Sequence, residues 1–159
     1  VDQHMLKGYH FEKKLKHKIG LLKQMVEDGE NRPDIIMGDF NCVYASDPTR
    51  VESFLEGQYK YFATVKKGKL TKGDKDKIRR WNLEPINFLI KKGYQFMPVE
   101  DEASKATSLL GNTIIDHVFV RKSVLKRYKN VSVKVIPHFT PGQTPVFSDH
   151  NPILLTLSP

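Results

Sequence analysis

Three short stretches place groups that can do chemistry against apolar runs: GDFN at 38–41, IIDHVFV at 114–120 and FSDHNPI at 147–153. Each sets a carboxylate, and two of them an imidazole, beside residues that otherwise read as buried strand. A buried carboxylate without a partner is expensive, so such groups are paired, bound to a metal or placed at a solvent-reaching rim. Taken singly, each stretch has a plain structural explanation. Gly38-Asp39 is a common turn dipeptide, and Asp116 reads equally as a satisfied buried acid. Taken together they suit cleavage of a phosphodiester or phosphomonoester. Hard carboxylate oxygens favour Mg²⁺ or Mn²⁺. A histidine beside a carboxylate serves as acid, base or electrostatic stabiliser near neutral pH. The Asn41 amide can orient a nucleophile or bond a phosphate oxygen without adding charge. Zinc is less suited, because there is no cysteine pair and no helical face with a recognisable zinc pattern of histidines.

The elements that must carry these groups follow from apolar spacing. Phe11, Leu15, Ile19, Leu22 and Met25 (or Val26) predict a helix over 9–28, closed by Gly29 and Pro33. Ile35 to Met37 predict a short buried strand. Ser46, Asp47 and Pro48 form a turn before a short helix over 49–55. Residues 66–80, KKGKLTKGDKDKIRR, show no apolar periodicity and read as a mobile basic loop. Residues 81–92 predict another helix, with Leu83, Ile86, Phe88, Leu89 and Ile90 on its buried side and Gly93 ending it. Strands are expected from Tyr94 to Met97, Ile114 to Val120, Val131 to Val135 and Ile153 to Leu157. This order implies an α/β domain with helices layered on sheets. His117 follows Asp116 in a strand and so faces the other way, into packing or solvent. His10, His17 and His138 read as surface or loop residues.

The chain has 159 residues, enough for one domain, and its 39% hydrophobic and 28% charged composition excludes a disordered chain. No apolar run reaches the length needed to span a bilayer. The opening VDQHMLKGYH has neither the apolar centre nor the cleavage site of a signal peptide, and without an initiator Met it reads as the start of a fragment. Cys42 is the single cysteine, so no internal disulfide is possible and the compartment stays open, with an intracellular one, nuclear or cytoplasmic, favoured. The net charge of +8 calls for an anionic partner: nucleic acid, a phosphorylated substrate or an anionic membrane surface. Basic residues cluster over Lys13–Lys18, Lys66–Arg80 and Lys122–Lys129, although any one such run is equally a solvated face.

In their order along the chain, GDFN, IDHVFV and SDHNPI resemble the endonuclease/exonuclease/phosphatase superfamily, which has the deoxyribonuclease-I-like fold. The final SDH before an apolar strand is the most distinctive piece. The resemblance spans nearly the whole chain but only the second half of that family's domain. It implies one unit over 1–159, the C-terminal portion of a layered α/β sandwich lacking its N-terminal half. By the same resemblance, Asp39 aligns or deprotonates the attacking water, and Asn41 binds the scissile phosphate. Asp149 is the metal-linked acid, for Mg²⁺ or Mn²⁺. His150 contacts the phosphate and stabilises its developing charge, and Asp116 holds the His150 ring. His4, followed by Met5, stands at about the distance where the family often has a His-Leu pair ahead of a long helix, and reads equally as a polar residue near a frayed terminus. The family's early Asn and metal-binding Glu have no counterpart, since Glu12 and Glu27 fall within the helical pattern. That implies a fragment, a partner chain or second copy supplying the other half, or a degenerate relative. The expected activity is Mg²⁺-dependent phosphodiester hydrolysis by an endonuclease, with DNA ahead of RNA, and with Trp81, Arg79 and Arg80 of the basic stretch against the polyanion. Ile114-Ile115-Asp116-His117 replaces the Trp-Cys-Asp-Arg of the inositol phosphatases and argues against them. A non-catalytic nucleic-acid-binding remnant and a sphingomyelinase-like lipid phosphodiesterase are the alternatives.

Overall fold

The structure is a computed structural model that describes residues 6–27, 29–100, 114–137 and 150–159. Helix α1, Gly8–Glu27, buries Phe11, Leu15, Leu22 and Val26 as one stripe, while Met25 is turned to solvent. Gly29 then takes a left-handed φ of 45°, which only a residue without a Cβ adopts cheaply, and a short 3₁₀ turn leads to strand β1, Ile35–Asp39.

Helix α2, Pro48–Lys66, is far longer than the 49–55 segment expected from the sequence. Its start is chemically specified: Asp47 caps it by accepting from the Thr49 N–H at 2.9 Å, and Pro48 supplies a preset first turn. Val51, Leu55 and Phe62 are buried along one side of it, and Phe62 anchors the part beyond the expected segment.

The expected basic loop is instead mostly helix. Helix α3 runs Lys72–Lys91, nine residues ahead of the expected start at Trp81. Thr71 and Asp74 form a reciprocal capping box, and Asp74 also pairs with Lys66 at 2.6 Å. The buried line of the first half of α3 is Asp74, Ile78 and Asn82, so two of its three members are polar. An apolar-periodicity test cannot see such a face. Arg79 reaches Glu52 on α2, and Arg80 reaches Glu12 on α1 and Glu84 on its own helix. Exposed pairs of this kind contribute less than about 1 kcal/mol each, so they register the helices rather than hold them.

Strand β2 is Tyr94–Met97, and β3 is Asp116–Arg121. They form an antiparallel sheet in the order β1-β3-β2, with β3 in the centre. A one-turn helix α4, Lys122–Leu125, leads to β4, Asn130–Val135, which pairs antiparallel with β5, Ile153–Ser158. The two sheets are joined where Val99, beyond β2, bridges Val133, and the Glu100 N–H donates to the Val133 carbonyl at 2.7 Å.

Alternation along β3 divides the core into layers. Phe119 faces α1 and α3, packing with Leu22, Val26, Ile36, Phe40, Ile86, Leu89 and Tyr94. Val118 and Val120 face the other way, against Val133, Val135, Ile153 and Leu155 of the second sheet. The fold is therefore mixed α/β, with helices on one face of the three-stranded sheet and a two-stranded sheet on the other. Among the described residues, no helix is long and apolar enough to cross a membrane.

Candidate functional site

The register of β1 on β3 places Asp39 directly opposite Asp116, at the strand ends and on the face turned toward the second sheet. The Phe40 N–H extends the ladder by donating to the Ile115 carbonyl at 2.9 Å. Two carboxylates facing each other across a sheet repel, an arrangement that fold stability alone does not favour. The lead-in to β5 brings His150 against them. Its Nδ1 lies 2.8 Å from Asp116 Oδ2, and its Nε2 lies 4.0 Å from Asp39 Oδ2. Because a carboxylate accepts, Nδ1 carries the proton in this pair, and Nε2 is turned toward the Asp39 side. The His150 side chain is 27% exposed and that of Asp39 is 37%, so the cluster lies at a solvent-reaching rim.

Asn41 completes the group from the loop after β1. Its backbone N–H donates to Asp39 Oδ1 at 2.7 Å, and its Nδ2 donates to Asp39 Oδ2 at 3.0 Å. Asn41 makes that double clamp from a left-handed conformation, with φ of 48°. Asparagine tolerates it better than most residues.

The loop is stitched to α3. The Val43 N–H donates to Asn82 Oδ1 at 2.7 Å, and the Trp81 indole N–H donates to the Asn41 carbonyl at 3.0 Å. Pro85 lies within α3 and has no N–H for the carbonyl four residues back, which is that of Trp81. The Cys42 thiol donates to that carbonyl at 3.3 Å instead. Lys18 of α1 lies with its Nζ 2.9 Å from Cys42 Sγ and 4.2 Å from the Trp81 ring centroid. Burial pushes the Cys42 thiol above its ordinary pKa, against the opposing pull of Lys18, so the sulfur stays a neutral donor.

His117 points to the opposite face, packed among Phe40, Tyr44 and Phe96 and 2% exposed. Its Nε2 donates to the Cys42 carbonyl at 2.7 Å, while Nδ1 is buried without a partner. Burial depresses its pKa from the ordinary 6.5 to about 4, against the smaller raising effect of the Cys42 carbonyl. The unfolded chain therefore binds this proton more readily than the folded one between those values. The stability His117 contributes is complete above about pH 6.5 and is lost as pH falls toward 4, by about 3 kcal/mol at most. Urea titrations across that range should show this slope, and His117→Gln, which keeps a donor for Cys42, should flatten it. An unchanged slope in that variant would assign the acid sensitivity elsewhere.

The structure thus brings together Asp39, Asn41, Asp116 and His150. Asp149 and His4 lie outside the described residues, as does His138. His10 and His17 are on exposed positions of α1. Arg79 and Arg80 are engaged with Glu52 and with Glu12 and Glu84, and Trp81 is half-buried behind Asn41. Lys18, Cys42 and Asn82 were missed by sequence reasoning. Pro85 inside a helix was a usable signal, because it frees the Trp81 carbonyl and demands another donor; for Lys18 no comparable signal exists. A divalent cation would find one partly exposed hard carboxylate in this cluster, Asp39. Among the described residues, no group of three or more His, Cys, Asp or Glu side chains is placed to hold a metal ion. Comparison with protein-family models, with curated proteins and with solved structures gives no match.

Proposed function

We propose that this chain is a phosphodiesterase of the endonuclease type that hydrolyses the nucleic-acid backbone, with DNA ahead of RNA. The observation that carries the reading is the His150–Asp116 pair facing the Asp39–Asn41 pair across adjacent strand ends. Asp39 has the position and the acceptor oxygens to orient an attacking water, and Asn41 holds that carboxylate in one orientation. His150 Nε2, with Nδ1 committed to Asp116, suits contact with a phosphate oxygen and proton transfer as the phosphorus–oxygen bond breaks. The net charge of +8 favours a polyanionic substrate. The order of the three acidic stretches and their likeness to the endonuclease/exonuclease/phosphatase superfamily add to the same reading. Mg²⁺ or Mn²⁺ belongs to this proposal through Asp149, whereas Asp39, Asn41, Asp116 and His150 act through their own oxygen and nitrogen atoms.

The test is nicking of supercoiled plasmid with Mg²⁺, comparing the wild-type chain with Asp39→Ala. Nicking by wild type and its loss by about a hundredfold or more in the variant is the expected result. Equal rates would remove Asp39 from the site. No cleavage of plasmid, RNA or sphingomyelin by wild type, alone or within a longer chain that supplies the expected N-terminal half, would overturn the phosphodiesterase reading, and cleavage of sphingomyelin alone would replace it with a lipid substrate.

A further inference from the structure

We infer that Trp81 and Lys18 are positioning residues that set the orientation of Asp39 by gripping the main-chain carbonyl of Asn41. Their kinetic consequence rests on the phosphodiesterase reading; their geometry does not. Asn41 is the pivot. Its left-handed backbone costs conformational free energy relative to an extended one, and such conformations persist only where the surroundings over-determine them. The surroundings in this case are two donors on one oxygen. The Trp81 indole N–H lies 3.0 Å from the Asn41 carbonyl, and Lys18 Nζ lies 3.5 Å from it.

Both donors come from helices, α3 and α1, rather than from loops. Each is itself fixed. The Lys18 ammonium rests over the indole ring at 4.2 Å and against Cys42 Sγ at 2.9 Å, and the next residue on α3, Asn82, holds the Val43 N–H. With its carbonyl held by Trp81 and Lys18, Asn41 gives its backbone N–H and its side-chain amide to the two oxygens of Asp39. A partly exposed carboxylate at a strand end otherwise rotates freely about its terminal torsion. The chain of contacts from α1 and α3 through Asn41 removes that freedom. This also assigns Trp81 a duty different from stacking on a base: its N–H is spent inward, and one side of its ring carries Lys18.

Trp81→Phe deletes the N–H and keeps a ring beneath Lys18. Lys18→Gln deletes the charge at a site close to the surface, with Lys18→Arg as the conservative counterpart. In ¹⁵N-labelled protein, the Asn41 side-chain amide resonances should move in Trp81→Phe and in Lys18→Gln, and return toward wild type in Lys18→Arg. With plasmid as substrate, kcat should fall about tenfold in the first two variants while KM stays within about twofold, as expected for loss of orientation rather than of binding. Movement of the Asn41 amide supports the inference even where wild type cleaves no plasmid, so failure of the nuclease reading is told apart from failure of this one. An Asn41 amide unmoved in both folded variants overturns it. So does a drop in kcat that only tracks the fraction of folded protein.

Discussion

Plasmid nicking by His150→Ala is expected to be about a thousandfold slower than by wild type, and Asp116→Asn about a hundredfold slower. The ranking follows from the contact at 2.8 Å between His150 Nδ1 and Asp116 Oδ2. The carboxylate accepts from Nδ1, which leaves Nε2 as the atom directed to the Asp39 side. An asparagine presents a donor on one edge and an acceptor on the other, so it can hold the ring but no longer enforces one tautomer. Residues acting as one unit are non-additive. The double variant should therefore be no slower than His150→Ala alone. Single-turnover rates on supercoiled plasmid give all four corners of the cycle. If the two losses simply multiply, Asp116 and His150 work separately and the paired role is wrong.

Phe119→Ala should cost about 3 to 5 kcal/mol of stability, a large share of the total for a domain of this size. Phe119 is fully buried at the centre of the three-stranded sheet. Its ring lies 5.2 Å from that of Phe40 and 5.6 Å from that of Phe96, and it shares a cluster with residues of α1 and α3. Few neighbours can move to fill the space, because strands lie on both sides of β3 and helices above it. Phe119→Leu keeps most of the volume and should cost less than about 1.5 kcal/mol. Urea unfolding followed by far-ultraviolet circular dichroism measures both. A cost below about 1 kcal/mol for Phe119→Ala would contradict the packing of α1 and α3 on this sheet.

Legibility in the sequence followed the kind of signal each element uses. Helix α1 and strands β1 to β5 carry their burial in apolar side chains at regular spacing, so reading the spacing located them to within a few residues. The first half of α3 buries Asp74 and Asn82 beside Ile78, and its charged residues pair with Glu12, Glu52 and Glu84 on three different helices. Pairing with Glu12 and Glu52 on other helices leaves no local period, and a run of lysines and aspartates reads as a loop. The capping pair Thr71 and Asp74 was the local sign of a helix start. At the site, the acidic stretches were visible because polar groups interrupt apolar strands. The support behind them was not. Lys18, Trp81 and Asn82 reach Asn41, Cys42 and Val43 only once α1 and α3 are docked, across separations that no motif spans.

Pro85 and Cys42 carry a consequence for how this chain can vary. A proline within a helix leaves the Trp81 carbonyl short of a donor, and a thiol from another segment fills the place. The two positions are therefore coupled in their effect on stability. Loss of the thiol should cost more while proline is present than once an amide-bearing residue stands at 85, although the core packing of Cys42 and its contact with Lys18 are lost in either case. A lineage that drops the cysteine should do so after, or together with, the proline, and the order of those two steps is constrained although forty-three positions separate them.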